Sequence, residues 1–340
     1  MQKNILVTGG AGYIGSHVIV RLYEEGYNPI ILDNFSNSEK TVLEGLKTIT
    51  GKMFQCYEGD MLDRTILKRI FTEHQIDGVI HFAAKKAVGE SVQIPLSYYK
   101  NNVSGLVTVL ESMIEFGCQN LVFSSSCTVY GEPDDLPVTE ESPKKPANSP
   151  YGNTKQVGEE VIEDVFKSGA NLKAIALRYF NPIGAHSSSA IGELPLGVPN
   201  NLVPFITQTA AGIRESLTVF GGDYDTVDGT CVRDYIHVMD LADAHVQTIK
   251  YLAKMEDSHF DFINVGTGRG NTVLEAIQAF EEVTGLSLNY KIGPRRPGDV
   301  EKIYAQVDKS KKVLNWETKY SLQDSMRDAW NWQKRISNLS

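Results

Sequence analysis

The stretch ILVTGGAGYIGSHV, residues 5–18, decides the fold. A short β-prone run leads directly into Gly9, Gly12 and Gly15. Ile14, Val18, Ile19 and Leu22 then recur at helical spacing until Gly26 stops the pattern. Strand, tight turn and helix start, in that order, set backbone N–H groups and the positive end of a helix dipole against a pyrophosphate. Glycine is required because a side chain would hold the phosphates away. A glycine-rich strand–helix turn without a ligand has the same local signature, so the surrounding sequence has to decide. Asp33 ends the next apolar run 18 residues after Gly15, where a carboxylate accepts hydrogen bonds from an adenosine ribose diol. Asn34 follows, and no arginine stands nearby to meet a 2′-phosphate. NAD is therefore expected over NADP.

Outward from this motif, β-rich runs alternate with helical patterns. Residues 5–8, 29–33, 53–60, 77–84, 120–126 and 172–180 read as strands, several of them apolar on both faces, as buried parallel strands are. Residues 12–25, 64–74 behind the cap candidate Asp63, 101–117 and 151–169 read as helices. This alternation predicts an α/β protein with a Rossmann-type doubly wound parallel sheet. After Phe180 the rhythm breaks in NPIGAHSSSAIGELPLGVPNN, which places a boundary between a nucleotide domain, 1–180, and a smaller C-terminal α+β lobe, 181–340. Residues 233–266 read as a helix and strand that return to the sheet. Ligands of such sheets lie beyond the carboxyl ends of the strands. Asp60 ends the third strand, within reach of an adenine. His81, inside the fourth, reads as a core histidine, and Lys86 after it as either a solvated loop lysine or a cofactor contact.

Composition narrows the function classes. The 340 residues carry a net charge of −9, which leaves no basic stripe for nucleic acid. The four cysteines, Cys56, Cys118, Cys127 and Cys231, form neither a CxxC nor a metal-ligand spacing, so a metal site is not expected and reduced thiols in a cytoplasm are. No window approaches 18 apolar residues and no export signal is visible, so no membrane span is expected.

SPYGNTK, residues 149–155, raises the chemical question. Tyr151 and Lys155 stand four apart on one helix face, and none of the other tyrosines has a lysine at that offset. A free phenol, pKa ~10, is a poor base at neutral pH, and a neighbouring ammonium lowers that value. On spacing alone, a tyrosine packed at a helix start beside a solvated lysine is the better explanation. FSSSCTVYG shifts the balance, because Ser124, Ser125 and Ser126 stand at the carboxyl end of the fifth strand, where hydroxyls would face the nicotinamide end of the cleft, with a structural role in the strand–loop transition as the competing explanation. Nucleotide cleft, serine and Tyr–Lys pair together specify hydride chemistry on an alcohol.

TGGAGYIGS, HFAAKKAVGESV, FSSSCTVYG, SPYGNTK, LRYFNPIGAH, PNNLVPFI, VRDYIHVMDLADAH and PRRPGD, in this order and nearly end to end, resemble the extended short-chain dehydrogenase/reductase family, and within it the UDP-glucose 4-epimerases. The resemblance implies a tightly held NAD+ that is not consumed, and reversible epimerisation of UDP-glucose and UDP-galactose at C4 through a 4-keto sugar. It implies Tyr151 as the base, aided by Ser126, with Lys155 holding the nicotinamide ribose and lowering the tyrosine pKa. For NAD it implies Gly9, Gly12, Tyr13, Ile14, Gly15, Asp33, Asn34, Asn37, Ser38, Asp60, Met61, Phe82, Ala83, Ala84, Lys86, Asn101, Ser124, Tyr151, Lys155 and Phe180. For the UDP-sugar it implies Lys86, Ser126, Tyr151, Asn181, Asn201, Leu202, Leu217, Thr218, Phe220, Arg233, Arg296, Asp299 and Ile303. A homodimer through the 101–117 and 151–169 helices is implied as well.

Three departures from relatives matter. Cys127 and Thr128 stand where nucleotide-sugar 4,6-dehydratases carry an Asp–Glu pair, which disfavours loss of water. Ala84 and Lys85 replace a Gly–Leu while Lys86 stays in register. Ile303 stands where epimerases that reject N-acetylated sugars carry tyrosine and those that accept them often carry a smaller residue. It leaves acetamido specificity open, and with it UDP-N-acetylhexosamine, UDP-pentose or UDP-uronate as alternative substrates. A non-catalytic NAD sensor on the same fold would predict a damaged Ser–Tyr–Lys set, and all three residues are present. Arg233 and Arg296 suit a diphosphate, with a solvated basic loop as the alternative for Arg295 and Arg296, and GTGRGN (266–271) reads as a turn.

Overall fold

β1 (Asn4–Thr8), the strand of the opening motif, sits at the centre of the fold in a computed structural model that describes residues 2–296 and 298–339. α1 (Tyr13–Glu24), β2 (Asn28–Asp33), α2 (Thr41–Thr50), β3 (Gln55–Glu58), α3 (Arg64–Glu73) and β4 (Ile76–His81) follow. Two short helices, α4 (Val88–Gln93) and α5 (Pro95–Tyr98), lead through a π-helical turn, Tyr99–Ser104, into α6 (Gly105–Glu115). β5 (Asn120–Ser126), a 3-10 turn (Cys127–Tyr130), α7 (Pro150–Lys167) and β6 (Lys173–Tyr179) complete the first half.

The second half contains β7 (Asn181–Ile183), α8 (Leu202–Ala210), β8 (Leu217–Phe220), β9 (Val232–Arg233), β10 (Tyr235–His237), α9 (Val238–Leu252) and β11 (His259–Val265). β12 (Asn271–Thr272), α10 (Val273–Thr284), β13 (Tyr290–Gly293), β14 (Lys302–Ile303), α11 (Asp308–Leu314) and α12 (Leu322–Ile336) end it.

Seven strands form one parallel sheet in the order β11-β6-β5-β4-β1-β2-β3. The order reverses direction between β1 and β4, and the crevice at that switch point is where such sheets take ligands. Period-two alternation along the strands feeds two cores. Ile5 and Val7 join Val18, Ile19, Leu22, Leu241 and Ile249 of α1 and α9 on one face, while Leu6 joins Leu67, Leu106, Val109 and Ile162 of α3, α6 and α7 on the other. The C-terminal lobe has its own core, built from α8, β8, α10 and α12. A smaller cluster of Cys127, Val129, Tyr130, Phe180, Ile303 and Ala305 joins the end of β5 to β14.

Most early elements stand where their sequence places them, and Asp63 caps α3 by accepting from Thr65 N at 2.8 Å. The third strand is shorter than its 53–60 reading, and the fourth ends at His81. Phe82 N and Ala83 N both turn back to donate to the Thr8 carbonyl, at 3.0 and 3.1 Å. α2, α4 and α5 are additions to the sequence reading. The helix read over 101–117 begins as the π turn, and Asn102 within it is buried. β9 and β10 join small sheets outside the main one, whereas α9 packs on α1 and β11 pairs with β6.

Candidate active site

Gly9 holds a φ of +70°, and a Cβ on it would lie 2.8 Å from Ala83 N. A Cβ on Gly15 would lie 2.3 Å from the Gly9 carbonyl oxygen. Gly12 caps α1 without a side-chain acceptor, so the first-turn N–H groups of Tyr13 and Ile14 face the cleft unclaimed by any capping side chain. This cradle, which any larger residue would fill, fits a pyrophosphate. Asp33 accepts from Ala11 N at 3.0 Å, Phe35 N at 2.9 Å and Ser38 Oγ at 3.0 Å, which fixes its carboxylate at the strand end. Asn34 Nδ2 donates to Asp60 Oδ2 at 3.2 Å, so the two strand-end residues form one edge, and Asn37 lies exposed beside them. The residues present fit a dinucleotide with a free ribose diol.

Several residues expected at the cofactor are held by neighbours within the protein. Met61 is buried with its side chain against Gly105. Tyr13 donates its hydroxyl to the Gly184 carbonyl at 2.7 Å, a bridge to the second lobe. Asn101 Nδ2 donates to Asn102 Oδ1 at 2.9 Å. Asn102 is the anchor, accepting from Lys85 N and donating to the Lys85 carbonyl and Thr154 Oγ1, so it fixes the Ala84–Lys86 loop against α7. Phe82 packs its ring 4.7 Å from that of His245. Lys86 Nζ lies 3.3 Å from Glu193 Oε1, which also accepts from Asn201 Nδ2 at 2.6 Å, so one carboxylate spans a residue expected at the cofactor and one expected at the UDP-sugar.

The chemical residues converge on the end of β5. Ser149 caps α7 by accepting from Gly152 N at 3.2 Å, and Pro150 occupies the first turn, which sets Tyr151 at the cleft and Lys155 one turn deeper. Lys155 is buried and donates from Nζ to the Ser124 carbonyl at 2.6 Å, 5.9 Å from the centre of the Tyr151 ring. Ser126 accepts from Thr128 N at 3.3 Å and presents its hydroxyl beside Tyr151. The expected lowering of the tyrosine pKa is absent from the protein alone. Burial pushes the enclosed Tyr151 phenol up to about 12, the Cys127 thiol adds to the rise, and only Ser126 opposes it. Burial also draws Lys155 down to about 8, with Glu159 working against that fall. Desolvation is the largest cause of both shifts. Ser124 differs too: its hydroxyl pairs with that of Tyr179, so its carbonyl, holding Lys155, is its link to the site. His81 is a core histidine, held neutral to about pH 3 by burial and bonded to Thr8 Oγ1 at 2.9 Å.

On the other side of the cleft, Asn181 has a buried Oδ1 with no partner among the described residues, an acceptor in want of a donor. Arg296 Nη2 lies 2.6 Å from Asp299 Oδ1, which stands 3.8 Å from Arg233 Nη2, and the Arg296 guanidinium sits 5.8 Å from the Phe220 ring centre. Thr218 and Phe220 share β8 with this group. Leu202 is half-buried at the start of α8. Leu217 turns its side chain into the core of the C-terminal lobe. Ile303 is 4% exposed and shares its apolar cluster with Cys127 and Phe180. GTGRGN wraps the Asp234 carboxylate, with Thr267 N at 2.8 Å and Gly268 N at 3.1 Å, so the protein's own anion fills that turn. Sequence reasoning passed over Asn102, Glu159, Tyr179, Arg178 and Glu193. Arg178 and Tyr179 lie within LRYFNPIGAH and the other three within none of the quoted motifs, and each of the five acts through a partner distant in sequence.

The sequence profile of the family described as GDP-mannose 4,6 dehydratase matches residues 6–329. The chain is 51% identical over 335 residues to UDP-glucose 4-epimerase 2 of Arabidopsis thaliana, covering 98% of this chain and 95% of that protein. Among solved structures it is similar to the UDP-glucose 4-epimerase of Stenotrophomonas maltophila with bound NAD and formylated UDP-arabinopyranose, at 46% identity, 99% coverage of both chains and a TM-score of 0.96. The enzyme of Bifidobacterium longum in complex with NAD+ and UDP matches at 43% identity, 99% coverage of both chains and a TM-score of 0.95. With this likeness running over almost the whole chain, the protein belongs to the UDP-glucose 4-epimerase family.

Proposed function

We propose that this protein interconverts UDP-glucose and UDP-galactose at C4 with a retained NAD+. The observation that carries the reading is the meeting of Ser126, Tyr151 and Lys155 at the end of β5, beside the glycine turn at the switch point. Bound NAD+ supplies a reversible acceptor for the C4 hydride. Tyr151 takes the proton of the 4-hydroxyl at its phenolic oxygen and returns it after the 4-keto sugar has turned over, and Ser126 hydrogen-bonds the same sugar oxygen. Lys155, fixed by the Ser124 carbonyl, supplies the positive charge that favours the phenolate. The glycine turn, Asp33, Asn34 and Asp60 hold the dinucleotide. Asn181, Asn201, Arg233 and Arg296 hold the UDP moiety, the guanidiniums being suited to a diphosphate.

Cys127 and Thr128, an enclosed thiol and a hydroxyl, supply no acid–base pair for expelling water, which favours epimerisation over dehydration despite the description of the matching family. Ile303 at the sugar end supports graded acceptance of N-acetylated sugars, since one methylene-sized difference is worth ~1–3 kcal/mol. We propose further that two chains pair through α6 and α7, a reading supported by the exposed Val107 and Ile114 of α6. The unpaired cysteines support a reducing, cytoplasmic setting, and no described helix is long and apolar enough to cross a membrane.

The test is to incubate the purified protein with UDP-galactose, adding no NAD, and to resolve the product sugars and the cofactor released on denaturation. UDP-glucose formation, with NAD released only on unfolding, supports the reading. Bound NAD without conversion of UDP-galactose redirects it to N-acetylated, pentose or uronate UDP-sugars.

A further inference from the structure

Behind the Tyr151–Lys155 face, α7 carries a second buried charge. Glu159 lies one turn beyond Lys155, and its carboxylate is fully enclosed. Four donors converge on it. Ser125 Oγ donates to Oε1 at 2.6 Å, Arg178 Nε to Oε1 at 2.8 Å, Arg178 Nη2 to Oε2 at 2.7 Å, and Lys144 Nζ lies 2.8 Å from Oε2. Arg178 is itself buried, and extends the network to Tyr130 Oη at 3.1 Å, which donates to Asn264 Oδ1 at 2.6 Å. Phe262 of β11 lies beneath both cations, 4.2 Å from the Arg178 guanidinium and 4.9 Å from Lys144 Nζ. A carboxylate this deep survives only when its lone pairs are all claimed.

The position of this cluster gives it a bearing on the chemistry. Ser125 is the residue between Ser124, whose carbonyl holds Lys155, and Ser126, which stands beside Tyr151. Side chains alternate along a strand, so Ser125 points away from the cleft and into the network. The Glu159–Ser125 bond therefore fastens α7 to β5 at the place where their two sets of chemical groups must stay in register.

Charge points the same way. Facing or adjoining Lys155 are Tyr151 and Glu159 on its own helix, His81 on β4, Ser124 on β5, Cys127 after it and Tyr179 on β6, with Arg178 and Lys144 behind Glu159. Burial keeps His81 neutral to about pH 3, and holds the Tyr151 phenol and the Cys127 thiol protonated to about 12. It raises Tyr179 as well. Glu159 is thus the anion of this group at neutral pH, shared between Lys155 and two further cations.

We propose that Glu159 is a positioning residue for the reaction: clamped by Ser125, Arg178 and Lys144, it aligns the β5 serines with Tyr151 and Lys155 and supplies the negative charge that keeps Lys155 an ammonium. Lys144 sets how much of that charge Lys155 feels. The inference rests on the epimerase reading for its consequence in turnover, and on the geometry alone for its effect on Lys155.

Two substitutions move Lys155 in opposite senses. Glu159→Gln keeps the size and the hydrogen bond to Ser125 but removes the charge, so Lys155 loses its proton at lower pH. Lys144→Gln removes a competing cation from a partly exposed position, so Lys155 keeps its proton to higher pH. The alkaline limb of kcat on UDP-galactose is expected to move down by about one pH unit in Glu159→Gln and up by a few tenths of a unit in Lys144→Gln. In protein labelled with ¹³C at lysine Cε, the Lys155 resonance, assigned by its absence in Lys155→Arg, is expected to show midpoints displaced in the same two directions. Midpoints that stay put, or that move together, overturn the proposal, because loss of packing has no reason to act with opposite signs. Should Glu159→Gln not fold, the Lys144→Gln midpoint decides alone: an upward move supports the proposal and any other result overturns it. If the unsubstituted protein turns over no UDP-sugar, the epimerase reading fails while the resonance midpoints still test the clamp.

Discussion

Tyr151 begins as a poor base, because its enclosed phenol holds its proton to about 12 in the protein alone. At neutral pH the pair Tyr151–Lys155 is therefore phenol plus a lysine drawn down to about 8, and positive charge near the phenol must shift the proton balance when ligands are in place. If the phenol carries the proton of the sugar hydroxyl, Tyr151→Phe loses turnover by about 10²-fold or more while NAD stays bound. Rates of UDP-galactose conversion set beside NAD content after denaturation measure both, and near-normal turnover would remove Tyr151 from the chemistry. Ile303 governs a different quantity. It is buried against Cys127 and Phe180, so Ile303→Tyr both fills space and brings a hydroxyl to the sugar end. We expect it to slow N-acetylated substrates more than plain hexoses, by about 10-fold or more. Equal relative rates before and after would free acetamido specificity from this position.

At the scale of elements, β1, its glycine turn and α1 act as one unit, and its tolerances differ sharply by position. A Cβ at Gly15 would meet the Gly9 carbonyl oxygen at 2.3 Å, and neither backbone can retreat without opening the turn. Gly15→Ala is expected to cost ~1–3 kcal/mol and about tenfold or more in retained NAD. Gly89→Ala in α4 is the control, since nothing lies within 4 Å of its added Cβ and its retained NAD should not change. Bound nucleotide per chain checks both; equal NAD in the two variants would mean that the turn is more pliable than its packing implies. This unit was legible because every requirement is local: an apolar strand, three spaced glycines and a helical stripe. α2 was not. Val42, Leu43, Leu46 and Ile49 do recur at helical spacing in TVLEGLKTIT, but Gly45 interrupts them, and that glycine is explained by the distant Ala190 and Ile191, whose atoms would lie 2.3 and 2.7 Å from a Cβ there. The core position of the Leu217 side chain was hidden for a similar reason, because β8 pairs with β13, and that distant partner turns the leucine inward. Asn102 and Glu193 escaped notice because their partners, Thr154 for one and Lys86 for the other, come together only in the fold.

Across the whole molecule, the residues that build the sheet's interior also set its response to acid. His17 on α1, His81 on β4 and His245 on α9 are all buried, and burial holds His17 and His81 neutral to about pH 3 and His245 to about pH 4. Unfolded histidine ionises near 6.5. These folded values lie below the unfolded one, so the unfolded chain binds more protons and stability falls as pH drops below about 6.5. Each histidine costs ~1.4 kcal/mol per pH unit through that window, so by pH 5 the three together remove roughly 6 kcal/mol, comparable with the whole stability of a typical domain. Asp234, Asp240 and Glu140 act in the opposite sense, their carboxyls being pushed up by burial. Between their ordinary values near 4 and their raised folded values the folded state binds more protons than the unfolded chain, so they offset part of the histidine loss as pH falls. The expected result is a urea midpoint that falls steeply between pH 7 and pH 5, with NAD released at lower urea because the folded state that binds it is depleted. His245→Leu should flatten that slope, since its Nε2 has no hydrogen-bond partner to lose among the described residues. A midpoint constant from pH 7 to pH 5 would show that these rings reach protons without unfolding, and that the sheet's interior opens more readily than its packing implies.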